Sequence, residues 1–165
     1  MRIALERPED QTAIHALTEA AFQGVPYSDQ TEAKIVDALR AAGALTLSLV
    51  ARQDGEVIGH AAFSPVTIEG AAGGWQGLGP VCVRLDRRRA GVAHALIRDG
   101  LNRLKAMGAA GCVVLGDPHY YRRFGFQSDP ALYYGAVPPG YFQGLSFDAS
   151  SPKGEVRYHP GFEVA

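Results

Sequence analysis

Arg87-Arg88-Arg89-Ala90-Gly91-Val92-Ala93 is the stretch whose residue types and spacing point first to chemistry. A helix is predicted from Val92 to Met107, with Ala93, Leu96, Ile97, Leu101 and Leu104 on one face. The start of a helix carries partial positive charge from unpaired N–H groups, so basic residues are disfavoured there. Arginines in that place make sense where an anion lies against the free amides. Gly91 and Ala93 have almost no side chain and allow close approach to the backbone. The competing reading is that Asp86 caps the helix and the arginines form a solvated face.

A second group follows at Tyr121-Arg122-Arg123-Phe124-Gly125-Phe126. A phenol, with a pKa of about 10 in model peptides, remains a proton donor at neutral pH. Tyr121 and Phe124 are three residues apart and share a helix face. Tyr120 competes with Tyr121 for any acid role, and packing alone would also explain either ring.

These groups need a scaffold. Arg2–Glu6 alternates like a strand, and Pro8-Glu9-Asp10 opens a helix carrying Ile14, Leu17, Ala21 and Phe22. A second helix is expected from near Asp29, with Glu32 closing a capping box and Gly43 ending it. Leu45–Ala51, Val57–Ile68 and Trp75–Val83 read as a three-stranded antiparallel meander, turned at Asp54-Gly55 and Gly70–Gly74. Gly79-Pro80 interrupts the third strand. Proline cannot donate to a ladder, so pairing should open there and free backbone groups for an extended ligand, unless Pro80 merely faces solvent. Cys112–Leu115 reads as a buried strand, parallel to the strand before the arginine corner. A short helix is expected over Pro118–Arg123. Beyond it, turns at Asp129-Pro130, Pro138-Pro139-Gly140 and Ser151–Gly154 separate short strands at Leu132–Gly135, Tyr141–Phe147 and Glu155–Tyr158.

Arg88-Arg89-Ala90-Gly91-Val92-Ala93 resembles the Gln/Arg-x-x-Gly-x-Gly/Ala signature of the GCN5-related N-acetyltransferases (GNAT). Tyr121-Arg122-Arg123-Phe124-Gly125-Phe126 is similar to that family's late motif. The run from Val114 to Phe126 looks most like the YhbS-like branch. The resemblance implies an α+β (mixed-sheet) fold: a central, mostly antiparallel sheet, splayed near the cofactor and flanked by about four helices. It implies one N-acetyltransferase domain over residues 1–165. Acetyl-CoA would be the co-substrate, its pyrophosphate on Arg88, Arg89, Ala90, Gly91, Val92 and Ala93. Its pantetheine arm would lie along Val81, Cys82 and Val83, with Phe124 against it. Tyr121 would be the general acid, and the Val83 N–H, or alternatively that of Cys82, the oxyanion donor. The chain departs from the family in having Asp117-Pro118 where an asparagine is common, and in having Ala93 where glycine is commoner.

An attacking amine must lose a proton, and Glu32, His60 and His119 are the candidate bases, each with a structural explanation of its own. Tyr27, Tyr133, Tyr134 and Tyr141 are candidates for an aromatic acceptor slot. The formal net charge of −1 gives no general attraction to nucleic acid or anionic membrane. Gly77-Leu78-Gly79 is followed by proline rather than a helix, so no dinucleotide fingerprint is present. Histidine and cysteine spacings fit no metal site, and Cys82 and Cys112 read as reduced, buried thiols. No stretch is long and apolar enough to span a bilayer and no signal peptide is evident, so a cytoplasmic location is expected. The expected reaction is acetyl transfer from acetyl-CoA to a primary amine by direct attack. A non-catalytic acyl-CoA sensor is the alternative. Whether the chain forms a homodimer stays open.

Overall fold

The structure is a computed structural model and describes residues 1–138 and 140–165. The expected turn at Pro138-Pro139-Gly140 includes Pro139, which lies outside them. In chain order the elements begin with β1 (Arg2–Leu5), α1 (Gln11–Phe22), α2 (Glu32–Ala41), β2 (Leu47–Gln53), β3 (Glu56–Pro65), β4 (Thr67–Ile68) and β5 (Trp75–Val83). They continue with α3 (Val92–Ala106), β6 (Gly111–Leu115), α4 (Pro118–Tyr121), β7 (Leu132–Tyr133), β8 (Phe142–Ser146) and β9 (Gly154–Arg157). Six strands form one sheet in the order β1-β2-β3-β5-β6-β8, and β4, β9 and β7 form a small second sheet. Only the β5–β6 pair is parallel in the large sheet, as the α3 crossover between them requires.

The meander forms as the turn residues dictate. Asp54 and Gly55 have φ of 53° and 79°, the left-handed pair of a tight hairpin whose twist suits the flanking strands. Predicted alternation in β2 is only half of the picture. Leu47, Leu49 and Ala51 pack under α3 with Leu96, Ile97, Leu101 and Leu104, while Val50 is equally buried on the other face against Ile14 of α1 and Val36 of α2. Helices cover both faces, so polar positions of the alternation are buried as well.

Three expectations need correction. The second helix begins at Glu32 and not near Asp29, and Glu32 closes no capping box. Its carboxylate accepts the Ser28 hydroxyl at 2.7 Å, while Asp29 Oδ1 accepts the Thr31 N–H at 3.2 Å. Those local side-chain bonds hold residues 28–31 in a loop that helix propensity alone would not reveal. The return strand from Val57 breaks after Pro65, and its end, β4, joins the second sheet. The helix after Asp117 is α-helical only to Tyr121 and tightens to a 3-10 turn over Arg122–Phe124.

His60, a candidate base, is fully buried in β3 and lines neither of the two large cavities described below. Its Nε2 lies 2.8 Å from Ser48 Oγ, and Ser48 donates to the Glu6 carboxylate, which also receives Arg40 Nε at 2.9 Å. Ser48 has one proton, so His60 must donate to it from Nε2, and Nδ1 has no partner among the described residues. Burial, then the Arg40 charge, against the opposing pull of Glu6, lowers the His60 pKa to about 4. Its folded pKa is below the unfolded value, so this stability is present above pH 6.5 and is lost as pH falls through about 4. Urea unfolding is expected to show a loss of roughly 3 kcal/mol across that window. A His60→Leu variant should flatten this part of the profile; an unchanged slope would contradict the assignment.

Candidate functional site

Two cavities meet where β5 and β6 part. The parallel register runs from Trp75–Gly111 to Leu78–Val114 and stops, while β3–β5 pairing shifts between Ala61 and Phe63, opposite Gly79 and Pro80. The interruption expected at Gly79-Pro80 is therefore present. Beyond it, β5 pairs on one side only. Arg84 N–H donates to Ile58 O at 2.8 Å, and antiparallel alternation then turns the Cys82 N–H toward β3 as well. By the same alternation the Val81 and Val83 N–H groups point into the gap, which favours Val83 over Cys82 as a donor there.

The first cavity, 620 Å³, is lined by Val81, Cys82 and Val83 of β5, by Arg87, Arg88 and Arg89, and by Gly91, Val92, Ala93 and His94 at the start of α3. Gly91 stands at the N-cap with φ of 80°, where an L side chain is strained, and no side chain caps the helix. The first backbone bond of the helix start is Ala95 N–H to Gly91 O at 3.0 Å. The N–H groups of Val92, Ala93 and His94 have no acceptor among the described residues, as at any uncapped helix start. Asp86, the competing cap, instead accepts Arg84 Nε at 2.7 Å.

The three arginines are not equivalent. Arg87 reaches Gln53 Oε1 at 3.2 Å and Asp86 Oδ2 at 3.5 Å. Arg88 donates to Ala21 O at 3.2 Å, and neither it nor Arg89 has a carboxylate partner among the described residues. No Asp or Glu lines this cavity. Its field is positive, and free amides face it: the combination that binds an anion.

The second cavity, 760 Å³, shares Phe22, Tyr27, Val81 and Tyr120 with the first and continues past the gap to Asp117, Tyr121 and the C-terminal segment. Tyr121 lines this side only. Its ring packs against Gly116, where a Cβ would fall 2.5 Å from the ring's Cε2. Burial, reinforced by Tyr120, Tyr27 and Cys112, pushes its hydroxyl up to about 12, and the hydroxyl has no hydrogen-bond partner among the described residues. It is a neutral donor with a free proton.

Among the expected site residues, Ala90 and Phe124 line neither cavity. Ala90 is exposed. Phe124 is buried in the α3 core, beneath His94 at 4.9 Å between ring centroids, so it backs the cleft and does not face it. Of the three candidate bases, only Glu32 lines a cavity, the second one; His119 faces a separate groove beside Arg122 and Gln143. Tyr27, Tyr134 and Tyr141 line the second cavity as expected, but Tyr133 does not. Sequence reasoning missed His94, which stands three residues into α3, and Tyr158, which enters from the end of β9. Helix-start geometry could have found the first; only tertiary structure reveals the second. Cys82 is a buried neutral thiol, its pKa raised to about 11 by burial, and carries no nucleophile. Among the described residues there is no cluster of potential metal ligands, and no helix is long and apolar enough to cross a membrane.

The sequence matches the acetyltransferase (GNAT) domain family over residues 3–128. It is 44% identical over 128 residues to the N-acetyltransferase YhbS of Escherichia coli strain K12, covering 77% of this chain and 74% of that protein. The structure is similar to a GNAT-family acetyltransferase from Brucella melitensis solved with acetyl-CoA: TM-score 0.89, 54% identity, 98% of this chain and 97% of that one covered. It is equally similar to Escherichia coli YhbS solved with CoA: TM-score 0.89, 36% identity, 99% and 92% covered. An uncapped helix start beside unpaired arginines, a sheet opened at Gly79-Pro80 and these relatives agree: this chain belongs to the GNAT acetyltransferase family.

Proposed function

We propose that the protein transfers the acetyl group of acetyl-CoA to a primary amine, by direct attack in a ternary complex, as one domain over residues 1–165 in the cytoplasm. The observation that carries this reading is the junction of the two cavities at the unpaired edge of β5. The diphosphate lies against the Val92–His94 amides with Arg88 and Arg89 around it, where the helix dipole and both guanidiniums favour negative charge. The pantetheine arm follows Val81–Val83 like an added strand, which brings the thioester to the cavity junction.

The amine enters from the second cavity. Glu32, directly or through water, first takes a proton from the bound ammonium and frees the nitrogen lone pair. That lone pair attacks the thioester carbonyl carbon, and the Val83 N–H stabilises the oxyanion that forms. The C–S bond then breaks, Tyr121 protonates the departing thiolate, and the second proton lost by nitrogen restores the phenol.

Coenzyme A supplies the first test. A ligand that binds only the native state at one hundred times its Kd stabilises it by roughly 2.7 kcal/mol. For a chain of this size that is about 5–10 °C in Tm. No shift at millimolar coenzyme A would contradict the reading.

A further inference from the structure

The second cavity holds six of the chain's seven tyrosines: Tyr27, Tyr120, Tyr121, Tyr134, Tyr141 and Tyr158. Phe22 and Phe162 add two further rings. Several rings meet edge to face. Tyr134 and Tyr158 are 4.9 Å apart at 83°, and Tyr120 and Tyr121 are 5.0 Å apart at 88°. Such contacts fix those four rings before any ligand arrives, whereas Tyr27 and Tyr141 stand exposed at the mouth. The charged residues on the lining are two carboxylates, Glu32 and Asp117; no lysine or arginine lines it. Glu32 is half-buried and held by the Ser28 hydroxyl, whereas Asp117 stands exposed at the rim and accepts the His119 N–H at 2.9 Å.

From this lining we infer that the acceptor is a small primary amine on an uncharged aryl or apolar body, recognised as its ammonium by tyrosine faces and carboxylates. The inference rests on the reading of the second cavity as the acceptor side. Aromatic faces attract a cation electrostatically and also cover an apolar body. A carboxylate or phosphate on the acceptor would enter a site with two acids and no cation, and would lose its water without a partner. A polyamine would bring a second ammonium with only a rim acid to pair with it, and no apolar body to cover the remaining ring surface. The volume, 760 Å³, is that of a small-molecule site. Tyr134, Tyr141, Tyr158 and Phe162 all lie beyond residue 128, where the match to the shared domain ends. The segment beyond that match thus builds much of the acceptor wall.

The test measures thiol release from acetyl-CoA with 2-phenylethylamine, L-phenylalanine, spermidine and an N-terminally blocked lysine peptide. The kcat/KM for 2-phenylethylamine should exceed that for phenylalanine, which differs by one carboxylate, on the order of 100-fold. It should exceed that for spermidine by roughly tenfold, since spermidine has no ring to stack. Tyr134→Leu, which keeps an apolar wall and removes a π face, should raise the KM for 2-phenylethylamine roughly 3- to 30-fold. The thermal shift given by coenzyme A should persist in that variant and so reports its folding. Should spermidine, phenylalanine or the peptide match or surpass 2-phenylethylamine, or should 2-phenylethylamine not be acetylated while coenzyme A still raises Tm, the proposal is overturned and the cofactor reading stands. Should coenzyme A give no shift, the cofactor reading fails and the proposal falls with it.

Discussion

Tyr121→Phe is expected to lower kcat on the order of 100-fold while leaving the KM for acetyl-CoA nearly unchanged, because a lost proton donor acts only as the thiolate leaves. The variant isolates that role well. Phenylalanine keeps the ring on Gly116 and its edge contact with Phe126, 5.9 Å away at 82°. The hydroxyl it removes has no hydrogen-bond partner among the described residues, so no buried group is orphaned and folding is not penalised. The pH profile carries a second signature. The active form is the protonated phenol, and burial raises its pKa to about 12, so Tyr121 should contribute no alkaline loss of rate at the ordinary phenol range near pH 10. Tyr120 is the rival: it lines both cavities and carries the Arg123 guanidinium 4.4 Å from its ring centroid. If Tyr120→Phe costs more turnover than Tyr121→Phe, the acid has been assigned to the wrong ring.

Ala93→Glu is expected to have opposite effects on folding and on binding. A glutamate in the first turn of α3 complements the helix dipole and should stabilise the free protein by roughly 0.3–1 kcal/mol. The same carboxylate would sit where the diphosphate belongs. Like charges a few ångströms apart at a protein surface cost a few kcal/mol, so the Kd for coenzyme A should rise on the order of 100-fold. Ala93→Gln adds the same bulk without charge and should weaken binding far less. Calorimetry of the three proteins separates the effects. Equal affinity in Ala93→Glu and the unmodified chain would place the diphosphate elsewhere.

How much of this was legible beforehand depends on the range of the interactions. Local chemistry was readable. The Asp54-Gly55 turn, the helix from Val92 and the break at Gly79-Pro80 rest on neighbours in sequence, and the structure bears them out. Where side chains compete with the backbone, reading failed. Thr31 bonds to Asp29 and Ser28 to Glu32, which delays α2 and leaves Glu32 facing a cavity instead of capping a helix. Burial of alternate β2 residues could not be read either, since it depends on helices packing from two sides. Phe124 shares a helical turn with Tyr121, but the 3-10 tightening at Arg122 and the weight of the α3 core draw it inward. The acceptor cavity was the least legible part. Its six tyrosines come from five separate places in the chain, and only the folded structure gathers them.

A crystal structure with acetyl-CoA bound would locate the anion site outright. Diphosphate oxygens should lie within hydrogen-bond reach of the Val92, Ala93 and His94 amides, and the thioester oxygen should face the Val83 N–H across the gap. A diphosphate bound away from α3, with those amides left to solvent, would contradict that placement.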